Sequence, residues 1–451
     1  MFIFFILYSA GFLYTLREIY FRRYAALLFF FVFCLPIYIT ALTTLHQAGG
    51  SLLVPLVQYS KEFIVLLTLI TLVVHLDAWP KWNVLDKLVI AYFCITTVYV
   101  FLPLGGYPLY QKLVALKNIS FFPVIYFVGR LVRPETVWIS KVQAMIMVLM
   151  IAAAGVVLIE VINYQHLQTL TGYVEYYLKY FGQEPTGNHG LSWNFEIEGG
   201  VKRFAAFFAN PLELAAATLL TVAVLVAMYV KKDIAEPRLF ATAILASLIC
   251  IVFALSRASM AGYFMASYLF FLLNGNRKIL RVYHGLFIVT GLVFVYFLAN
   301  DEIGEFFLKT FTFENTSSLS HLLEWIDGID AMQNNPLGLG LGESGRVSGE
   351  LGTNIGGENQ LIIIGVQTGV LPMLLYAVMY ALVIGWSAQL FRKGEGKEQQ
   401  VGIVLFILKV GLIIPVLTAS VESYLYVSSV GWFLVGLLSS LRTNFLQMHR
   451  D

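Results

Sequence analysis

The stretch from 138 to 163, WISKVQAMIMVLMIAAAGVVLIEVIN, holds a run from Val142 to Ile159 that carries no charge and a single amide, Gln143. A helix rises about 1.5 Å per residue and needs about 20 mostly apolar residues to cross roughly 30 Å of hydrocarbon, so this run predicts a membrane-spanning helix. Outward from it, similar runs lie near 2–16, 24–43, 52–76, 88–104, 111–129, 211–230, 239–255, 258–274, 282–299, 359–391, 401–419 and 424–441. Together they predict about 13 spans (roughly 12 to 14), of which the first is short and the third and eleventh are long enough to bend. Composition agrees: 59% of the 451 residues are hydrophobic and 12% are charged, where a soluble domain carries about 25% charged residues. The expected fold is an all-α polytopic membrane protein, a single integral membrane domain over residues 1–451.

Short loops rich in Lys and Arg stay in the cytoplasm. Alternate connections carry Arg17, Arg22 and Arg23; Lys81 and Lys87; Arg130, Arg133 and Lys141; Lys231, Lys232 and Arg238; Arg277, Lys278 and Arg281; Arg392, Lys393 and Lys397; and Arg442 with Arg450. The alternation predicts an amino terminus outside and a carboxyl terminus in the cytoplasm. Met1 to Leu16 lacks the basic start and small-residue cleavage site of a signal peptide and reads as a retained helix. Cys34, Cys94 and Cys250 fall in apolar runs without paired spacing, as small hydrophobes rather than a thiol site. A net charge of +2 gives no sign of a nucleic-acid partner.

Two connections predicted to lie outside are long, 164–210 and 300–357, and loops beyond about 15 residues tend to be functional or disordered. The first is rich in Tyr, Phe and Trp, a composition that packs or lies against headgroups and sugars. The second contains SLSHLLEWIDGIDAMQNNPLGLGLG (318–342), in which Leu322, Leu323, Ile326, Ile329 and Met332 recur at helical spacing while His321, Glu324, Asp327 and Asp330 take other faces. It predicts an amphipathic helix ending near Asn334, before Pro336. GLGESG (340–345) then fits the spacing of a dinucleotide fingerprint, but it follows a helix and turn rather than a strand, so that reading fails. Its glycines are expected at tight turns and close backbone approaches, with an anion nest of successive N–H groups as a second reading.

The seven histidines are scattered and the chain has neither a phosphate-binding loop nor a nucleophile elbow, so no metal or cofactor is expected. Three residues stand at the predicted outer boundary: Arg203 in VKRFAAFFANP (201–211), Arg257 in LSRAS (255–259) and Glu358 in GGENQ (356–360). Alone, each arginine could snorkel to headgroup phosphates, and an acid at a helix start answers the macrodipole. Together, two guanidinium forks suit a pyrophosphate, and a nearby carboxylate can accept the proton of an attacking hydroxyl. Glycosyl transfer from a lipid pyrophosphate requires only these groups, because pyrophosphate leaves as a stable anion without a second carboxyl as acid. The helix dipole acts to lower the pKa of Glu358 and desolvation acts to raise it.

The ordered segments KRFAAFFANPLELA (202–215), ALSRASMAGYF (254–264), WIDGIDAMQNNPLGLGLG (325–342) and GENQLIIIGVQTGVLP (357–372) resemble the O-antigen ligase and polymerase superfamily of bacterial membrane glycosyltransferases, over about residues 195–390. The resemblance implies a GT-C-like architecture whose two outer loops contain short helices. It implies a metal-independent enzyme that transfers glycan from an undecaprenyl-pyrophosphate-linked oligosaccharide at the outer face of the bacterial inner membrane. Its implied partners are that donor, the lipid bilayer and a polysaccharide chain-length regulator. Arg203 and Arg257 match the family's pyrophosphate-binding arginines and Glu358 its catalytic base, with His321, Asn359 and Asn210 as further candidate substrate contacts. Two positions depart from the pattern: His321 stands where an Arg is expected, and Gln367 where a Glu is.

Glu at 358, rather than His, favours a polymerase that joins repeat units into a surface polysaccharide such as O-antigen, capsule or exopolysaccharide. The alternative is a ligase that moves a finished glycan to a lipid or protein. A lipid-linked sugar transporter, the third reading, calls for a site at the bilayer midplane. Lys117, Glu160 and Lys409 answer to that depth, with Lys409 and Glu160 as a candidate pair.

Overall fold

The computed structural model describes residues 2–182, 184–197, 200–298, 316–350 and 354–448; residues 300–315 and 351–353 of the second predicted loop, and Arg450, lie outside them. Among the described residues the regular structure is helical, with one isolated antiparallel bridge between Glu196 and Lys202. The chain begins with α1 (Ile3–Tyr20), α2 (Ala26–Phe33), α3 (Tyr38–Gln47), α4 (Val54–Val74), α5 (Val84–Val98), α6 (Leu109–Ser120), α7 (Phe122–Leu131) and α8 (Ile139–Asn163). The first long connection holds α9 (Leu167–Leu170) and α10 (Tyr173–Phe181); α11 (Pro211–Lys231), α12 (Pro237–Ala254), α13 (Arg257–Leu273) and α14 (Arg277–Leu298) follow. The second holds α15 (Thr316–Asn334) and α16 (Arg346–Glu350). Last come α17 (Gln360–Thr368), α18 (Val370–Lys393), α19 (Gly396–Gly411), α20 (Ile413–Thr418) and α21 (Leu425–Met448).

Length and composition give seven helices able to cross a membrane among the described residues, or up to nine if two bent pairs each count as one span. The chain is a multi-pass membrane protein. Each of the thirteen predicted stretches contains helix, and among the described residues seven to nine of them qualify as spans by length and composition. The stretch 24–43 is α2 and α3, bent by 63°, and 111–129 is α6 and α7, bent by 47°. A proline accompanies each bend, Pro36 between the first pair and Pro123 in the first turn of α7, and each removes a backbone donor. α5 and α13 have only 15 and 17 residues. The predicted stretch 359–391 is interrupted at Gly369, which separates α17 from α18.

At the centre runs α11, buried along almost its whole length and lined with Ala215, Ala216, Ala217, Ala223 and Ala227. Small side chains let α8, α12, α13, α19 and α21 approach it closely. α7 and α21 meet closer still: a Cβ at Gly129 would strike the Phe433 carbonyl, and one at Gly436 the Tyr126 carbonyl. Cys34 and Cys250 are buried and Cys94 is exposed, all three as free thiols.

The buried ionisable groups are not arranged as the sequence suggested. Lys409 and Glu160 do not pair. Glu160 accepts the backbone N–H groups of Leu167 (2.8 Å) and Ala206 (2.9 Å), so the turns after α8 supply the donors that a lysine would have given. The Lys409 ammonium lies over the rings of Trp432 (4.3 Å) and Tyr380 (5.0 Å). Lys117 forms an ion pair with Glu62 at 3.2 Å.

Candidate active site

The segment before α11 is folded by polar groups from other elements. Glu160 holds the N–H of Ala206, a residue forced to a φ of 50°, and Gln168 donates from Nε2 to the carbonyls of Ala206 and Phe208, each at 2.9 Å. Thr40 donates to the carbonyl of Phe207 at 2.8 Å. The Arg203 N–H donates to the Phe195 carbonyl at 2.8 Å, and the Phe204 N–H to the Phe253 carbonyl at 3.1 Å. Arg203 is thereby held against the carboxyl end of α12.

That end is also where Arg257 emerges. α12 stops at Ala254, Leu255 turns the chain with a φ of 48°, and Ser256 caps α13 by accepting the Ser259 N–H at 3.4 Å. Arg257 is the exposed first residue of α13. A cation at the positive end of a helix dipole gains nothing locally, so the position favours an anion beside it.

Glu358 comes from a third direction. Gly356 and Gly357 precede it with φ of 84° and 63°, and a Cβ on them would strike Ile362 and the Glu324 carboxylate respectively. Asn359 then caps α17, its Oδ1 accepting the N–H groups of Leu361 (2.9 Å) and Ile362 (3.2 Å). Glu358 thus stands one residue outside the cap. α15 lies alongside, with Gly328 against Gly356 and Ile362. From it, His321 Nδ1 reaches Glu324 Oε2 at 3.4 Å, an ionic contact at the long limit of a hydrogen bond.

These three directions meet in one electrostatic cluster. The Arg203 guanidinium is pushed down by burial and then by the like charge of Arg257, while Glu358 and Tyr424 oppose the shift. Burial pushes the Glu358 carboxyl up, reinforced by Glu324 and opposed by His321 and Arg203. The Glu324 contact raises His321, with Glu358 adding to it and burial and Arg257 opposing. Arg203 Nε and, on α15, Trp325 Nε1 are buried without a hydrogen-bond partner among the described residues, where buried donors are ordinarily satisfied.

The outward side of α15 is mixed, with Asp327 and Asp330 exposed beside apolar residues. Leu323, Ile326 and Ile329 are exposed at 51%, 52% and 46%, whereas Gly328 and Met332 are buried and His321 and Glu324 half-buried against the protein.

Of the candidate residues, Arg203, Arg257, Glu358 and His321 are brought together. Asn210 and Asn359 instead cap helices, Asn210 accepting the Glu213 N–H at 2.9 Å. The anion-nest reading of the glycine loop is overturned, because its donors are already used. Leu339 N–H donates to the Val366 carbonyl (2.7 Å), Gly340 N–H to the Gln367 carbonyl (3.1 Å) and Gly342 N–H to Gln367 Oε1 (2.9 Å). The loop closes the carboxyl end of α17, where the break at Gly369 releases carbonyls. Sequence reasoning missed Glu324, Tyr424, Glu160 and Gln168 as parts of this site. Only Glu324 carried a local signal, its three-residue spacing from His321 on a helix. No group of three or more His, Cys, Asp or Glu side chains suited to a metal occurs among the described residues.

Residues 241–377 match the sequence model of a family described as O-antigen ligase. The matched segment takes in Arg257, His321 and Glu358 and begins after Arg203. It supports the resemblance of this part of the chain to the O-antigen ligase and polymerase superfamily. No curated protein matches the chain.

Proposed function

We propose, with the O-antigen ligase match of residues 241–377 as premise, that the chain is a metal-independent membrane glycosyltransferase. On this reading it polymerises undecaprenyl-pyrophosphate-linked oligosaccharide repeat units into a surface polysaccharide. The observation that carries the reading is the electrostatic convergence of two arginines, a histidine and a desolvated carboxylate from four segments: the turn before α11, the start of α13, α15 and the residue before the cap of α17.

Arg203 and Arg257 hold the donor pyrophosphate by paired N–H contacts. His321 is favoured in its charged form and takes the part of the arginine expected at its position. Glu358 accepts the proton as an acceptor hydroxyl oxygen bonds to the anomeric carbon. The bond from that carbon to the pyrophosphate oxygen breaks, and its electron pair leaves with the pyrophosphate, where the cations meet the developing charge. Burial makes Glu358 a stronger base than an exposed glutamate. The same reading places the site at the outer face of a bacterial inner membrane, in a GT-C-like fold of about 13 helical passes that includes the bent and short helices.

A ligase that transfers a finished glycan is the second reading, favoured by the description of the matched family. Transport has less support, because Glu160, Lys117 and Lys409 are engaged by backbone donors, Glu62 and aromatic rings. Purified protein incubated with undecaprenyl-pyrophosphate repeat units, followed by separation of products by size, tests all three. A ladder supports the polymerase, one glycan added to a distinct acceptor the ligase, and translocation without bond formation the transporter.

A further inference from the structure

The connection between α20 and α21 is pinned on either side of Tyr424 to the segments that present Glu358 and Arg203. On one side the Glu422 N–H donates to Oε1 of Gln360, the first residue of α17, at 3.2 Å. The Glu422 carboxylate fixes that side further, accepting from the Tyr376 hydroxyl (2.6 Å), the Trp432 indole N–H (2.9 Å) and the Ser428 hydroxyl. On the other side the Tyr426 N–H donates to Glu213 Oε1 at 3.1 Å, in the first turn of α11, the helix that the Arg203 turn leads into. Tyr424 lies midway between these anchors in the chain, so the heads of α17 and α11 together set its place. Its own backbone is satisfied, the N–H donating to the Val421 carbonyl (3.1 Å) and the carbonyl accepting the Ser428 N–H (2.9 Å).

Only the phenol is left over. Tyr424 is 6% exposed, and its hydroxyl makes no hydrogen bond among the described residues. A buried tyrosine ordinarily gives its O–H an acceptor, as Tyr376 does with Glu422 and Tyr380 with the Lys409 carbonyl at 2.7 Å. Tyr426 also lacks a partner, but it is wholly enclosed and burial alone acts on it. Tyr424 differs because charged groups act on its hydroxyl. Burial first, then Glu358 and Glu213, hold the phenolic proton more tightly than usual, and Arg203 opposes them. The hydroxyl is therefore a neutral hydrogen-bond donor wherever the protein is folded and active. Arg203, which interacts with it, has its own Nε buried without a partner. Two N–H or O–H groups without acceptors, one charged and one neutral, suit a phosphate oxygen.

We infer that the Tyr424 hydroxyl is a further substrate contact of the candidate site, donating a hydrogen bond to a phosphate oxygen of the lipid-linked glycan donor beside Arg203. The phenol keeps its proton throughout. The electron pair of the breaking bond from the anomeric carbon leaves with the pyrophosphate, and the hydroxyl meets the charge that develops there. The inference rests on the glycosyltransferase reading for the identity of the glycan donor, but the contact itself does not depend on turnover.

The test measures equilibrium binding of undecaprenyl pyrophosphate to the intact chain in nanodiscs of zwitterionic lipid, with no sugar and no reaction. Tyr424→Phe keeps the ring and removes the hydroxyl, and it is expected to weaken binding by about tenfold, the scale of one hydrogen bond to a charged group. Tyr426→Phe makes the same change in the same segment and is expected to leave the affinity unchanged. Where turnover is measured, kcat/KM should fall in Tyr424→Phe by at least the factor lost in binding. A parent that binds the lipid but transfers no glycan, with Tyr424→Phe still the weaker binder, counts against the glycosyltransferase reading and leaves the contact standing. Binding by Tyr424→Phe equal to that of the parent overturns the inference, even where turnover is lost, since the hydroxyl would then serve Glu358 rather than the phosphate. An equal loss in Tyr426→Phe overturns it too, as a packing effect on the segment. A parent without affinity for undecaprenyl pyrophosphate overturns both the contact and the reading it rests on.

Discussion

The N–H of Phe204 donates to the carbonyl of Phe253 at 3.1 Å, and this one bond ties the turn that carries Arg203 to the helix end from which Arg257 emerges. The backbones that carry the two arginines are therefore tied together by a main-chain bond. Both turns contain a non-glycine residue at positive φ, Ala206 and Leu255, a conformation that costs on the order of 1–3 kcal/mol and persists where the surroundings enforce it.

Replacement of either arginine by lysine keeps the charge and removes the planar fork, so transferase activity is expected to fall on the order of a hundredfold with protein level unchanged. Size-resolved product formation from lipid-linked repeat units provides the check. Full activity in Arg257→Ala would mean that this residue meets only headgroups.

Glu358→Gln preserves shape and removes the base. Turnover is expected to drop roughly a hundred- to ten-thousandfold while donor binding survives. Activity requires the ionised carboxylate, and burial raises Glu358 above its ordinary value of 4.5, so the acid limb of the rate profile should lie above that of a solvent glutamate. Its effect on stability has the opposite sign. Between 4.5 and the raised native value the folded chain holds more protons than the unfolded one, so this group's contribution falls as pH rises through that window.

On the proposed reading, His321 is expected to supply the alkaline limb. Its native value is raised above 6.5 by Glu324; the stability it contributes is fully present below 6.5 and is lost as pH rises through the raised value. Transfer should weaken over the same interval. His321→Arg is expected to hold activity on the alkaline side, where the parent declines, and an unchanged profile in that variant would remove His321 from the site.

Much of this was legible in the sequence where periodicity and punctuation carry the signal. The helix predicted to end near Asn334 ends there, because Pro336 stops it. Arg203, Arg257 and Glu358 stood out as charges at the ends of apolar runs. The bend between α6 and α7 was hidden, because hydropathy does not see a change of direction within an apolar stretch. Tyr424 was equally invisible, since only tertiary packing brings a residue at the start of α21 to the start of α17. The true partners of Glu160 are two backbone N–H groups, and a sequence shows side chains only.

Gly340 has a φ of 118°, and a Cβ there would lie 2.6 Å from the backbone of Leu104. Gly340→Ala is expected to cost at least about 2 kcal/mol, read as a lower thermal midpoint in detergent and a lower yield of folded protein. Gly285→Ala, inside α14 and meeting nothing within 4 Å, is the control and should leave the midpoint unchanged or slightly raised.

Topology can be read by labelling. On a background lacking Cys34, Cys94 and Cys250, a cysteine at exposed Asn188 is expected to react with an impermeant thiol reagent in spheroplasts, and one at exposed Lys393 only after lysis. The reverse pattern would invert the protein and move the candidate site to the cytoplasm.

The glycine loop also limits how this protein can be recombined. Gly340 packs on Leu104, Gly342 on the Tyr107 ring, and the Gly106 N–H donates to Glu343 at 2.9 Å; on its other side the same loop closes the carboxyl end of α17. Residues 104–107 and 338–345 are thus one graft unit, although more than 200 residues separate them in the chain. A chimera that imports the second loop from a relative without the segment ahead of α6 would leave α17 unclosed, and the acid at its head would lose its footing. Transplants that carry both segments keep it.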